Sequence, residues 1–435
     1  MSETVGAVEL FRTEILVLLD CMGLKLQKNT KLSEDDLLKR LAQTMDAAQR
    51  YNELLAPIAP VNPSTLSKWK PSKSLLDAIK RTNIAEAYGN MITGRNLVAP
   101  PTSTYEEDTF MEVRQVLMGL ATHWEQKQYS FVLMDKVSNW GVIARIVEVQ
   151  RLQLDSVSSG LETDVPVLSL LYKVVHSPSG VQMRDHLETI FTHPVVAVWT
   201  TQLERKYLLK LFAMNSKRLS SHYKPRRQKD EADHRLTFIL PLGPLNMRDL
   251  GRLENTTGCE LCGKKMKSRC TQCLSVSYCG KECQREDSPN HKIFCRSLKG
   301  GTWHTVTFSH EKTPHGYTHR AVINRFDTVQ EIRAQMIESP ENLKNAPSPN
   351  IHGDKAFLVK FQISLSQSGM DSSMLLYDRQ KSFQVTWLKA QDTEVFREGE
   401  KAMGGRLKIY RWARRVDDYH LTVCFDKAPE TDPAW

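Results

Sequence analysis

A chain of 435 residues is long for one compact core and suits two or three folding units of about 150 residues each. Hydrophobic residues at 40% and charged residues at 25%, with a formal net charge of +9, lie near the globular average and exclude fibrous or wholly disordered chains. No apolar run reaches the roughly 18 uncharged residues of a membrane helix, and Glu3, Glu9, Arg12 and Glu14 interrupt the stretch a secretory leader keeps apolar. The expectation is a soluble, intracellular, multidomain α+β protein, cytoplasmic or nuclear, with no membrane partner.

Through residue 222 the apolar positions recur three and four apart, and proline, glycine and serine mark the loops. This pattern predicts an α-helical domain over residues 1–222, arranged as a bundle or stacked array. Helices are expected over Ala7 to Met22, Ser33 to Leu55, Ser74 to Ile92, Glu106 to Trp124, Phe131 to Leu154, Pro166 to Val175 and Val195 to Leu219. Ser33 precedes Glu34, Asp35 and Asp36, acids suited to a helix N-terminus, and Leu37, Leu38, Leu41, Met45 and Ala48 trace one apolar face. Pro57, Pro60 and Pro63 end that helix, since each lacks the N–H that an interior turn requires. Phe110, Val113, Leu117, Leu120 and Trp124 keep the same spacing behind Thr104, Glu106, Glu107 and Asp108. No motif repeats at a fixed period.

Composition then turns to charge. Lys224, Pro225, Arg226, Arg227 and Lys229 are followed by Asp230, Glu231 and Asp233, and residues 223–258 are expected to form an exposed linker. A short basic run is more often a solvated loop than a nuclear-import signal. A nuclear or chromatin-associated factor is therefore the alternative reading.

Seven of the nine cysteines fall between Cys259 and Cys295. In a chain with no export signal, that clustering points to metal thiolates rather than disulfides, and Cys21 and Cys424 read as ordinary buried thiols. The spacing is Cys259-x2-Cys262, x7, Cys270-x2-Cys273, x5, Cys279-x3-Cys283, x7, His291-x3-Cys295. Each CxxC pair grips one ion from a tight turn, and each x3 pair places two ligands on one helical face. Eight ligands make two tetrahedral zinc sites, and spacing alone allows either sequential or interleaved pairing. The segment's few large apolar groups, among them Leu261, Val276, Tyr278 and Phe294, cannot fold it by burial alone. Structural sites closed by four protein ligands leave no position for an activated water. Counting Arg296 just beyond it, eight basic residues and four acids give +4; seven thiolates and two zinc ions add −3, so the loaded segment carries only about +1 and direct nucleic-acid binding is not expected.

The ligand order, with Tyr278-Cys279, Cys283-Gln284 and the closing His291-x3-Cys295, resembles a MYND-type zinc finger over residues 259–295. The resemblance implies interleaved sites: Cys259, Cys262, Cys279 and Cys283 for one zinc, and Cys270, Cys273, His291 and Cys295 for the other. It further implies two structural Zn²⁺ ions, protein partners and a scaffold or interaction role, with Gln284 as a peptide contact. The tryptophan that accompanies this glutamine in members docking proline-rich peptides is here Ser288, so a stacking plate for polyproline is missing. A structural role, stapling neighbouring regions together, carries equal weight.

Beyond the cysteines the pattern changes to period two with β-branched and aromatic residues. Strands are expected over Trp303 to Phe308, Phe357 to Leu365, Met374 to Tyr377, Ser382 to Leu388, Arg406 to Tyr410 and Tyr419 to Phe425, within a small β-rich α+β domain over residues 302–426. Catalytic signatures fail at defined residues. No Asn-His-Ser-Cys-like segment supports a SET-type lysine methyltransferase, Arg95 and Asn96 spoil a phosphate loop from Gly89, and Pro314 spoils a zincin string from His310-Glu311. The histidines at 304, 310, 315 and 319 are assigned no role. A non-enzyme is expected.

Overall fold

The computed structural model describes residues 9–27, 29–70, 73–93, 108–153, 164–178, 181–190, 195–254, 258–309, 326–328, 332, 347–363, 373–429, 433 and 435. The chain divides into two units. The first takes Met1–Lys25, Glu34–Leu245 and Thr328–Gln330, and the second takes Leu26–Ser33, Asn246–Asp327 and Glu331–Trp435. The candidate phosphate loop lies partly, and His310, His315 and His319 wholly, outside the described residues.

The first unit is mixed α/β. Its strands are β1 (Ser67–Lys68), β2 (Ser130–Met134), β3 (Trp140–Gln153), β4 (Asp164–His176), β5 (Val196–Trp199) and β6 (Arg235–Ile239), in the order β5-β2-β3-β4-β6 with β1 beside β3. β2 and β5 pair in parallel, whereas β3 runs antiparallel to both β2 and β4. Helices α1 (Arg12–Cys21), α2 (Glu34–Gln49), α3 (Thr109–Glu125) and α4 (Gln202–Ser216) supply the other layer. Phe110 of α3 meets Tyr207 of α4 with ring centroids 6.1 Å apart, and Phe212 of α4 lies 5.0 Å from Tyr172 on β4.

The expected all-helical N-terminal domain is thus corrected. Within the expected helix Phe131 to Leu154 the described residues 131–134 and 140–153 are strands, and Pro166 to Val175 lies inside β4. β4 is buried without interruption from Pro166 and Val167 into Tyr172, as a central strand covered on both faces must be, and such a run satisfies helical spacing equally well. In β3 the register shifts between Ile146 and Glu148, and this bulge breaks the period-two signal in mid-strand. Val195 to Leu219 divides into β5 and α4.

The expected linker over 223–258 is likewise structured at residues 223–254. β6 pairs with β4, Tyr223 is buried, and Arg227 donates to the carbonyls of Glu231 and His234 at 2.7 and 2.8 Å. Arg145 on β3 holds Glu231 through two hydrogen bonds. In the second unit, α5 (Met247–Glu254) is fixed by Arg379 pairing with Glu254.

The second unit contains a hairpin of β7 (Ser268–Arg269) and β8 (Ser277–Tyr278), helix α6 (Lys281–Leu298) and a six-stranded antiparallel sheet. That sheet consists of β9 (Trp303–Thr307), β10 (Phe357–Ile363), β11 (Ser373–Asp378), β12 (Gln384–Leu388), β13 (Lys408–Arg415) and β14 (His420–Cys424), in the order β12-β11-β10-β13-β14-β9. Alternation sorts the faces of β10: Val359 and Phe361 enter the main core with Trp387, Phe396 and Phe425, while Leu358 faces the opposite side. Helix α7 (Thr393–Met403) covers the main core. Asp392 caps it by accepting from the Val395 N–H, and Gly404 ends it in the left-handed conformation.

Close approach of α7 depends on Gly399, because a Cβ there would lie 2.7 Å from the buried Trp387 ring. Gly399→Val is expected to destabilise the second unit by about 1–3 kcal/mol through overpacking. Chemical denaturation followed by tryptophan fluorescence measures the loss.

Candidate metal centre

The two CxxC turns share one backbone device. After the first, Gly263 has φ +68° and donates its N–H to the Cys259 carbonyl at 2.8 Å. After the second, Leu274 takes φ +55° and donates to the Cys270 carbonyl at 3.0 Å. The left-handed residue turns the chain so that both sulfurs of a pair point the same way, at some steric cost in the leucine case.

β8 and α6 bring the remaining ligands. Cys279 follows β8 directly, and on α6 the residues Cys283, Asp287, His291 and Cys295 succeed one another four apart along one stripe. Asp287 is buried and accepts the Tyr278 hydroxyl at 2.7 Å, joining the hairpin to the helix midway between the cysteine clusters. Burial and the Asp287 carboxylate push the Tyr278 phenol well above its ordinary range.

Ligand atoms gather in two groups: Cys259, Cys262, Cys279 and Cys283, and Cys270, Cys273, His291 and Cys295. In the first, Sγ–Sγ distances are 3.5 Å for Cys262–Cys279, 3.7 Å for Cys279–Cys283 and 3.9 Å for Cys283–Cys262. In the second, Cys270–Cys295 and Cys273 Sγ–His291 Nε2 are both 3.8 Å. Sulfurs about 2.3 Å from one tetrahedral ion stand about 3.8 Å from each other, whereas a disulfide brings them to about 2.04 Å. The donor sets, four cysteines in one group and three cysteines with a histidine in the other, are those of closed structural zinc sites. The geometry selects the interleaved pairing that spacing left open.

Taken alone, the thiols resist joint ionisation. Burial and the neighbouring cysteines push Cys283 far up and Cys295 up to about 12, and burial also raises Cys262 and Cys273. Cys259 and Cys270 go the other way: burial opposes ionisation, but hydrogen bonds, chiefly from backbone N–H groups and at Cys270 also from His291, hold them at about 7 and about 6. One thiolate per cluster therefore forms readily, whereas the four raised thiols require a cation.

The surroundings of the clusters differ. The first packs with Leu261 and Tyr278, while the second packs on the outer face of the sheet with Ala356, Trp412 and Cys424. Phe294 of α6 meets Trp412 edge-on at 4.6 Å, and Val276 touches both groups. Gln284 lies off the ligand stripe and is exposed, and Ser288 is half-buried. The Trp412 contact had no distinct signature in sequence, whereas the four-residue step through Cys283, Asp287, His291 and Cys295 places Asp287 on the ligand face.

Residues 259–295 match the MYND finger family, with every ligand in one of the two groups. This segment is a MYND finger. The match leaves most of the chain outside it. Egl nine homolog 1 of Homo sapiens is similar over 49 residues at 47% identity, covering 11% of this chain and 12% of that protein. The chain therefore spans only about an eighth of that relative's length. No solved structure matches the chain. No helix among the described residues is long and apolar enough to cross a membrane.

Two measurements test the MYND centre. Elemental analysis should return two zinc equivalents for the intact chain and one for either Cys279→Ser or Cys295→Ser, each variant losing a different site. At pH 7 the raised thiols of Cys262, Cys273, Cys283 and Cys295 are protonated without metal, so filling both sites should release at least four protons. Zinc affinity accordingly falls as pH drops, and titration calorimetry in buffers of different ionisation heat counts the protons.

Proposed function

We propose that the MYND finger acts as a protein-docking module and the chain as a non-catalytic scaffold, with proteins rather than nucleic acid or membranes as partners. Both ion sites are closed by four side chains, so the metal contributes rigidity and offers no position for an activated water. The observation that carries the reading is the exposed face of α6 at Gln284, held by a helix that the two clusters anchor at Cys283 and at His291 and Cys295. The small charge of the loaded finger supports protein recognition over phosphate binding. Arg227 in the basic run is engaged with backbone carbonyls and fixes its own loop, so no specific observation favours the nuclear reading.

Affinity capture with the full chain tests this proposal. Partners held at high salt by the intact protein should be lost with Cys279→Ser and weakened several-fold with Gln284→Ala, while Gln284→Ala keeps two zinc equivalents. Equal retention by all three proteins would overturn the docking role.

A further inference from the structure

The MYND finger already holds a short piece of its own chain. Leu26–Ser33 belongs with the second unit, although Lys25 before it and Glu34 after it belong to the first. The Lys31 N–H donates to the Leu261 carbonyl at 2.7 Å, and the Thr30 hydroxyl donates to the same oxygen at 3.3 Å. Lys31 Nζ forms a short ion pair with Glu286 and lies 3.4 Å from Glu282, one turn earlier on α6. Leu32 is 6% exposed, and its Cδ2 stands 2.9 Å from where a Cβ on Gly263 would sit, so the glycine of the first turn makes room for the leucine. Gln27 adds a hydrogen bond from Nε2 to Glu260 at 3.2 Å.

These contacts have the character of peptide recognition: a main-chain bond for affinity, a charge pair for orientation and a notch for the next side chain. We infer that Leu26–Ser33 is an internal ligand of the MYND finger, masking a surface whose external partners are extended peptides bearing lysine followed by leucine. The inference rests on reading the finger as a docking module, and it concerns the Leu261, Glu282, Glu286 and Gly263 surface rather than Gln284. A tethered segment competes at an effective concentration on the order of millimolar, so a free peptide binds weakly until the segment is released.

The test uses the full, zinc-loaded chain and a fluorescent peptide with the sequence of residues 26–33. In Lys31→Glu, repulsion from Glu282 and Glu286 replaces attraction and should expel the segment. Amide exchange at position 31 should then accelerate at least tenfold, and the free peptide should bind at least tenfold more tightly than to the intact chain. Adding Glu282→Gln and Glu286→Gln to Lys31→Glu should abolish that binding, with zinc content at two equivalents throughout. Exchange at position 31 that is fast in the intact chain, or unchanged by Lys31→Glu, would overturn the inference. So would release of the segment with no gain in peptide affinity. None of these outcomes bears on the Gln284 capture experiment, whose failure would in turn leave the exchange result standing.

Discussion

Four sulfur or nitrogen ligands gathered at about the edge length of a tetrahedron repel one another once ionised, and a cation at their centre turns that repulsion into cohesion. The second unit is organised around two such gatherings. Their ligands alternate along the chain, so the Cys270–Cys273 turn lies inside the loop that the first ion closes, and the first half of α6 lies inside the loop closed by the second. Neither ion orders a separate half. Tyr278 and Asp287 occupy the ground between them, where a buried hydroxyl and carboxylate satisfy each other.

From this centre, order extends in two directions. The histidine-containing group rests on Trp412, Ala356 and Cys424, so the sheet's outer face serves as part of the finger's core. The all-cysteine group instead presents the Leu261 carbonyl to Lys31. The two sites are therefore chemically similar but mechanically different: one is bedded in a sheet, and the other borders a short segment around Lys31.

The legible part of this arrangement was local. Ligand spacing disclosed the finger because metal geometry demands residue types at fixed short separations, and α2 and α3 were visible from acids followed by a single apolar stripe. The sheet strands of the second unit were visible because one face of each meets a core and the other does not. β3 and β4 were misread as helices because a bulge in one and burial on both faces of the other erased the period that distinguishes strand from helix. α7 carried readable ends in Asp392 and Gly404 but was hidden among charged residues. Contacts such as Lys31 with Leu261, or Phe294 with Trp412, join positions far apart in sequence and leave no local mark.

The bedding of the histidine-containing group on Trp412 has a consequence for biosynthesis. Translation delivers every ligand through Cys295 well before it delivers Trp412 and Cys424, which complete the apolar cushion beneath them. A nascent chain thus presents both donor sets before that cushion exists, and the histidine-containing group stays partly wetted until the last strands emerge.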